Sequence, residues 1–188
     1  MLEKLIDRRS DYEDVHVIKA LLLLAKRPSG REKLMKELRM SEASARTMLN
    51  NMRRFNLARS TTKGHELTEK GKRLAGKFQK QIEGPKNLGK TSITVSDFNT
   101  AYLVRRMAGK IKKGLEQRDV AVRVGADGLT TLVCRNNKLF LAGVESRVPK
   151  GIEKLFKTKS GDVILIGSAM NKHKADMAAL KTALSLFD

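Results

Sequence analysis

Apolar residues recur at close to helical spacing over residues 15–25, where Val17, Ile18, Leu21, Leu22 and Leu24 predict a largely buried helix. Pro28 and Gly30 break that run. Ser29 followed three residues on by Glu32 matches a capping box, in which hydroxyl and carboxylate each take an orphan amide. It predicts a second helix over 31–38 that buries Leu34, Met35 and Leu38. After a short turn at Arg39 and Met40, Ser41 predicts the cap of a third helix reaching about residue 55. Ala45, Met48, Leu49 and Met52 form its inward stripe, and two helices joined by so short a turn follow the helix-turn-helix pattern. Residues 57–60 and 65–68 then read as two strands around Thr61-Thr62-Lys63-Gly64, with Gly64 supplying the positive φ that a tight hairpin favours. Thr68 predicts the cap of a fourth helix over 69–78.

Gly84, Pro85, Asn87 and Gly89 fall within residues 83–90 and predict a linker between a domain at 1–82 and another at 91–188. Beyond it, 91–95 alternates like a strand. Asp97 predicts the cap of a long helix over 99–124 that buries Ala101, Leu103, Val104, Met107, Ile111, Leu115 and Val122, with Gly109 and Gly114 inside it. Residues 125–128 stop that helix. A hairpin of 129–134 and 138–144, a helical turn at 152–156, a strand at 162–166 and a closing helix over 172–187 complete the chain. The βαββαβα order predicts an α+β fold: a two-layer domain with helices on one face of a mostly antiparallel sheet.

Charge changes the picture. The 188 residues carry 39 Lys and Arg against 20 Asp and Glu, a formal net charge of +19. Residues 1–18 are slightly acidic at −2, residues 19–90 hold +13 and residues 91–188 hold +8. Such an excess asks for a polyanion, with nucleic acid the first candidate. Six Phe, two Tyr and no Trp argue against stacking platforms for unpaired bases. The single cysteine, Cys134, excludes an intrachain disulfide and a multi-thiolate metal site, and its mid-strand position reads as an inert buried thiol. Residues 1–16 lack the apolar core of a signal peptide, and the longest apolar block, 21–25, is too short for a membrane span, so a cytoplasmic protein without a membrane partner is expected. His16, His65 and His173 lie far apart without metal-ligand spacing, and no phosphate-loop, dinucleotide or nucleophile-elbow motif occurs. No metal, no cofactor and no catalytic residue is therefore expected. Gly167-Ser168, after a strand and before a helix, is the candidate anion or effector site, with an ordinary βα turn as its plainer reading.

The order helix, helix, helix, hairpin, helix over residues 14–80 resembles the winged helix-turn-helix family. Ser41-x-x-Ser44-Ala45-Arg46-Thr47, Asn56-Leu57-Ala58 and Leu67-Thr68-Glu69-Lys70-Gly71 carry the resemblance. It implies duplex DNA as partner, with the start of the third helix in the groove. Ser44, Arg46 and Thr47 would then read bases or phosphates, with Asn50 and Asn51 deeper or flanking. Arg53 and Arg54, near the helix end, would contact phosphates, and Thr61, Thr62, Lys63 and His65 would form the wing tip. Glu42 is the oddity, an acid at a helix start facing phosphate, suited instead to the positive helix end or to a cytosine amine.

Three further blocks, 114–119, 124–132 and 161–169, resemble the C-terminal domain of an uncharacterised archaeal family pairing a winged helix with a small α+β domain. That resemblance implies the architecture and an archaeal, cytoplasmic setting, and no reaction or ligand. The expectation is a DNA-binding transcription regulator whose C-terminal domain mediates homodimerisation or senses a small-molecule effector. An RNA-associated protein with both basic halves on structured RNA is the alternative, followed by a small-molecule enzyme.

Overall fold

The computed structural model describes residues 11–144, 146 and 148–187. The opening segment 1–10, on which the expectation of no leader partly rests, lies outside them. The chain divides between Gln79 and Lys80 into two compact units.

The first unit has the expected element order: α1 (Asp14–Leu24), α2 (Arg31–Leu38), α3 (Glu42–Arg54), β1 (Ala58–Thr61), β2 (Gly64–Leu67) and α4 (Glu69–Gln81), whose last two residues, Lys80 and Gln81, fall in the second unit. Helix α1 buries Val15, Val17, Ile18, Ala20, Leu21 and Leu24. Its start is a capping box, the Glu13 carboxylate accepting from the His16 amide while His16 Nδ1 accepts from the Glu13 amide at 3.0 Å. The box expected at Ser29 and Glu32 does not form. Gly30 is the N-cap of α2 without a side-chain bond, and Glu32 instead pairs with Lys36 one turn on. Ser29 lies one residue too early. It is buried and exchanges both backbone hydrogen bonds with His65, at 2.9 Å each, adding a bridge to the hairpin. The hairpin closes through Thr62 and Lys63, and Gly64 has φ +105°, with Ser29 backbone 2.7 Å from where a Cβ would stand. Ser41 caps α3 as expected (3.1 Å to the Ser44 amide), and Thr68 accepts from the Gly71 amide at 3.1 Å at the start of α4.

His16 gives this unit a pH signature. Burial pushes its imidazole below the ordinary value of 6.5, with Lys19 acting the same way and Glu13 and Asp14 opposing. Because the folded value is the lower one, the unfolded chain binds more protons near and below that ordinary value. The stability tied to a neutral His16 is present above pH 6.5 and lost as pH falls. We predict a lower melting temperature at pH 5 than at pH 7.5, with a smaller difference in His16→Gln. An unchanged pH dependence in that variant rejects the assignment.

The second unit contains β3 (Ile82–Leu88), β4 (Phe98–Val104), α5 (Leu115–Arg123), β5 (Gly128–Arg135), β6 (Lys138–Leu141), β7 (Val163–Ala169) and α6 (Lys172–Ser185). The five strands form one antiparallel sheet in the order β3-β4-β7-β5-β6. Ala101, Leu103, Leu132, Cys134, Ile164 and Ile166 pack on one face with Ile152 and Phe156, while α5 and α6 cover the other. The α+β class and the antiparallel sheet follow the expectation.

Three local readings are corrected. The linker 83–90 is largely strand β3, paired with β4, and the break suggested by Gly84-Pro85 is a bulge between Glu83 and Lys86 on an edge strand, where proline is tolerated. The strand at 91–95 is a turn, held by the Thr91 amide donating to Thr94 Oγ1 at 2.8 Å. The long helix 99–124 is instead β4, a single 3-10 turn at Ala108–Lys110 and α5, whose N-cap is Gly114.

Candidate nucleic-acid interface

Helix α3 turns a polar face outward because its apolar residues repeat at i, i+3 and i+4. Ala45, Met48, Leu49 and Met52 are buried, which leaves Arg46, Asn50, Arg53 and Arg54 exposed. Arg53 links this face to the hairpin, with Nη2 donating to Asn50 Oδ1 at 2.6 Å and Nη1 lying 3.4 Å from Ser60 Oγ on β1. Glu42 is a clamp: one of its oxygens accepts from Arg46 and from Arg31 of α2, each at 2.9 Å. At the hairpin tip Thr62 and Lys63 are exposed, and the turn is stapled by Thr61 Oγ1 donating to the Gly64 carbonyl at 2.9 Å.

His65 reports where these charges converge. Its imidazole is held below the ordinary value by burial first, then by the positive charges of Arg53 and Arg31. Cations from α2 and α3 therefore meet at β2.

Of the eleven residues expected at the interface, Arg46, Asn50, Arg53, Arg54, Thr61, Thr62 and Lys63 lie exposed on α3 and the hairpin. Thr47, Asn51 and His65 are half-buried. Thr47 donates back to the Ala43 carbonyl at 3.0 Å, and Asn51 Nδ2 donates to the Tyr12 hydroxyl at 2.8 Å, which ties α3 to the segment before α1. Ser44 is corrected: it is buried, with Ser41 Oγ donating to its hydroxyl at 2.9 Å, so it does not face a ligand. Arg31 is the residue the sequence reading missed. Its place depends on the Ser29–His65 bridge, which brings the start of α2 against β2.

Gly167 and Ser168 are also corrected. Both lie inside β7 and not in the following turn. A Cβ on residue 167 would stand 2.4 Å from the Ala175 carbonyl oxygen, so glycine is there to let α6 approach the sheet. Ser168 is fully buried and donates to Asn99 Oδ1 at 2.6 Å, leaving nothing to offer an anion. The turn proper is Met170-Asn171, with Asn171 capping α6. Cys134 is buried in the sheet core, no group of three or more His, Cys, Asp and Glu placed to hold a metal occurs among the described residues, and none of their helices is long and apolar enough to cross a membrane.

The fold has a solved counterpart. Residues 12–73 match the PH0730-like N-terminal domain. Residues 95–186 match a domain of unknown function, DUF4443. The hypothetical protein PH0730 from Pyrococcus horikoshii OT3 shares the fold with a TM-score of 0.77 and 26% identity, over 94% of this chain and 93% of that one. No curated protein matches the chain. The expected archaeal likeness over almost the whole chain thus has an archaeal structure beside it. None of these names carries a ligand or an activity.

Proposed function

We propose that the N-terminal unit is a winged helix that binds duplex DNA, and that the protein is a transcription regulator. The observation that carries the reading is the meeting of Arg31 and Arg53 at His65 and of Arg31 and Arg46 at Glu42, with Arg54 exposed on the same helix and Lys63 exposed at the hairpin tip. Helix α3 is 13 residues long, about 20 Å at 1.5 Å per residue, and presents an exposed polar face with Arg46, Arg53 and Arg54 to a major groove roughly 12 Å wide. Lys63 on a two-residue turn then reaches flanking backbone as a wing. The C-terminal unit serves as pairing or ligand-sensing element. In a two-fold dimer the two α3 helices would read half-sites about one helical turn, roughly 34 Å, apart.

The test is duplex affinity against salt, with a structured RNA as competitor at matched salt. Arg46, Arg53, Arg54 and Lys63 make four phosphate-facing cations, so log affinity should fall with log salt at a slope of about −3.6 per protomer. Glu42→Gln should tighten binding several-fold, because it frees Arg31 and Arg46 and removes a charge that repels phosphate. A flat salt response, or preference for the RNA, overturns the proposal.

A further inference from the structure

We infer that the C-terminal unit carries an oligophosphate site: a cavity of about 730 Å³ lined by Lys80, Arg105, Arg106, Lys157 and Lys159 that takes a small-molecule ligand with two or more linked phosphate groups. This site is independent of the DNA-binding reading.

Five cations line the cavity against one carboxylate, Asp162. That carboxylate is turned to the protein and used up. Its Oδ2 accepts from Arg105 Nη1 at 2.8 Å and from the Lys159 amide at 2.9 Å, and its Oδ1 accepts from the Arg106 amide at 3.1 Å. Arg105 is spoken for as well, pairing with Glu83 at 2.8 Å and donating to the Lys157 carbonyl at 2.8 Å. Among the described residues, no carboxylate lies within 4.0 Å of the ammonium or guanidinium groups of Lys80, Arg106, Lys157 or Lys159. All four are exposed. Four uncompensated positive charges around one hollow favour a polyanion.

The walls are fixed before any ligand arrives. The segment after β4 and the segment before β7 are tied by the Ala108 amide donating to the Gly161 carbonyl at 2.9 Å, as well as through Asp162 and Arg105. The bonds hold backbone and Arg105 while leaving the four cationic side chains to the hollow. Met107 is the one apolar lining residue and no aromatic ring is present, so the cavity offers charge without a stacking surface for a base. Linked phosphates, with several negative charges in a small volume, match that lining. A single orthophosphate would engage only part of it.

Calorimetric titration of the full chain with inorganic tripolyphosphate, at low salt, tests the site. One ligand per chain is expected, with orthophosphate much weaker. Lys157→Gln combined with Lys159→Gln should weaken tripolyphosphate at least tenfold, since each lost charge-assisted contact costs about tenfold. Lys80→Gln, at the end of α4 and away from the Asp162 bonds, should weaken it in the same direction if the double variant folds poorly. Arg53→Ala with Arg54→Ala should leave it unchanged. No binding overturns the inference, as does an equal loss in the Arg53 and Arg54 variant. Duplex DNA displaced by the Lys157 and Lys159 changes, with tripolyphosphate unaffected, also overturns it in favour of a nucleic-acid backbone contact.

Discussion

Replacing Arg53 and Arg54 together by alanine is expected to weaken duplex DNA binding roughly 60-fold at 0.1 M salt. Each phosphate contact contributes about 0.9 to the slope of log affinity against log salt, hence about 0.9 log unit at 0.1 M, and two contacts multiply. The same loss predicts that the slope itself shrinks by about 1.8. Both side chains are exposed at the C-terminal end of α3, and Arg53 also braces the helix against Ser60 of the hairpin. Fluorescence anisotropy with a labelled duplex at three salt concentrations reads both quantities. Lys172→Ala with Lys174→Ala, exposed cations at the start of α6, removes the same formal charge elsewhere. Equal weakening by the two pairs would mean that net charge alone attracts the DNA and would sink the α3 assignment.

The N-terminal unit was legible because its helices alternate buried and exposed faces. In α3 the inward stripe at 45, 48, 49 and 52 fixes the outward one, and Ser41 stands at the cap that its chemistry requires. The hairpin β5–β6 was legible for a similar reason: Asn136 and Asn137 both take positive φ, as a two-residue turn between paired strands demands. Strand β4 was not. It lies between β3 and β7 with both faces covered, so Ala101, Tyr102, Leu103 and Val104 are buried in succession and no period of two survives. Its apolar residues then merged with those of α5 into an apparent helix, although Gly109 and Gly114 mark the turns between them.

Side-chain placement was legible only where it is local. Ser44 was expected to read bases or phosphates, although it stands one turn before Met48 on the line that runs to Met52, a spacing that turns it inward. The hydroxyl's attraction to Ser41 completes its burial. Asn51 could not be placed from spacing, since its partner Tyr12 lies 39 residues away. The cationic cavity of the C-terminal unit left no motif at all. Arg105 and Arg106 follow β4 while Lys157, Lys159 and Asp162 precede β7, and the antiparallel pairing of those strands, with Val104 opposite Val163, is what brings them together.

Asp162→Ala is expected to destabilise the C-terminal unit by about 3–5 kcal/mol, the range for removing one partner of a buried ion pair. The magnitude follows from burial. The Asp162 side chain is 3% exposed and Arg105 29%, so the guanidinium loses its deeper partner and meets water only from the cavity side. The amides of Arg106 and Lys159 are orphaned in the same step. Arg105 also pairs with Glu83, but that carboxylate is 44% exposed and well solvated, so Glu83→Gln should cost no more than about 1 kcal/mol. Asp162→Asn should fall between the two, because its carbonyl oxygen still accepts while its amide opposes the remaining donors. For a unit of this size each kcal/mol corresponds to about 4 °C, so scanning calorimetry should place the Asp162→Ala transition on the order of 15 °C below the native one. Equal shifts for Asp162→Ala and Glu83→Gln would show that Arg105 is anchored from the solvent side. The two cavity walls would then be held by the Ala108–Gly161 bond and not by the buried carboxylate.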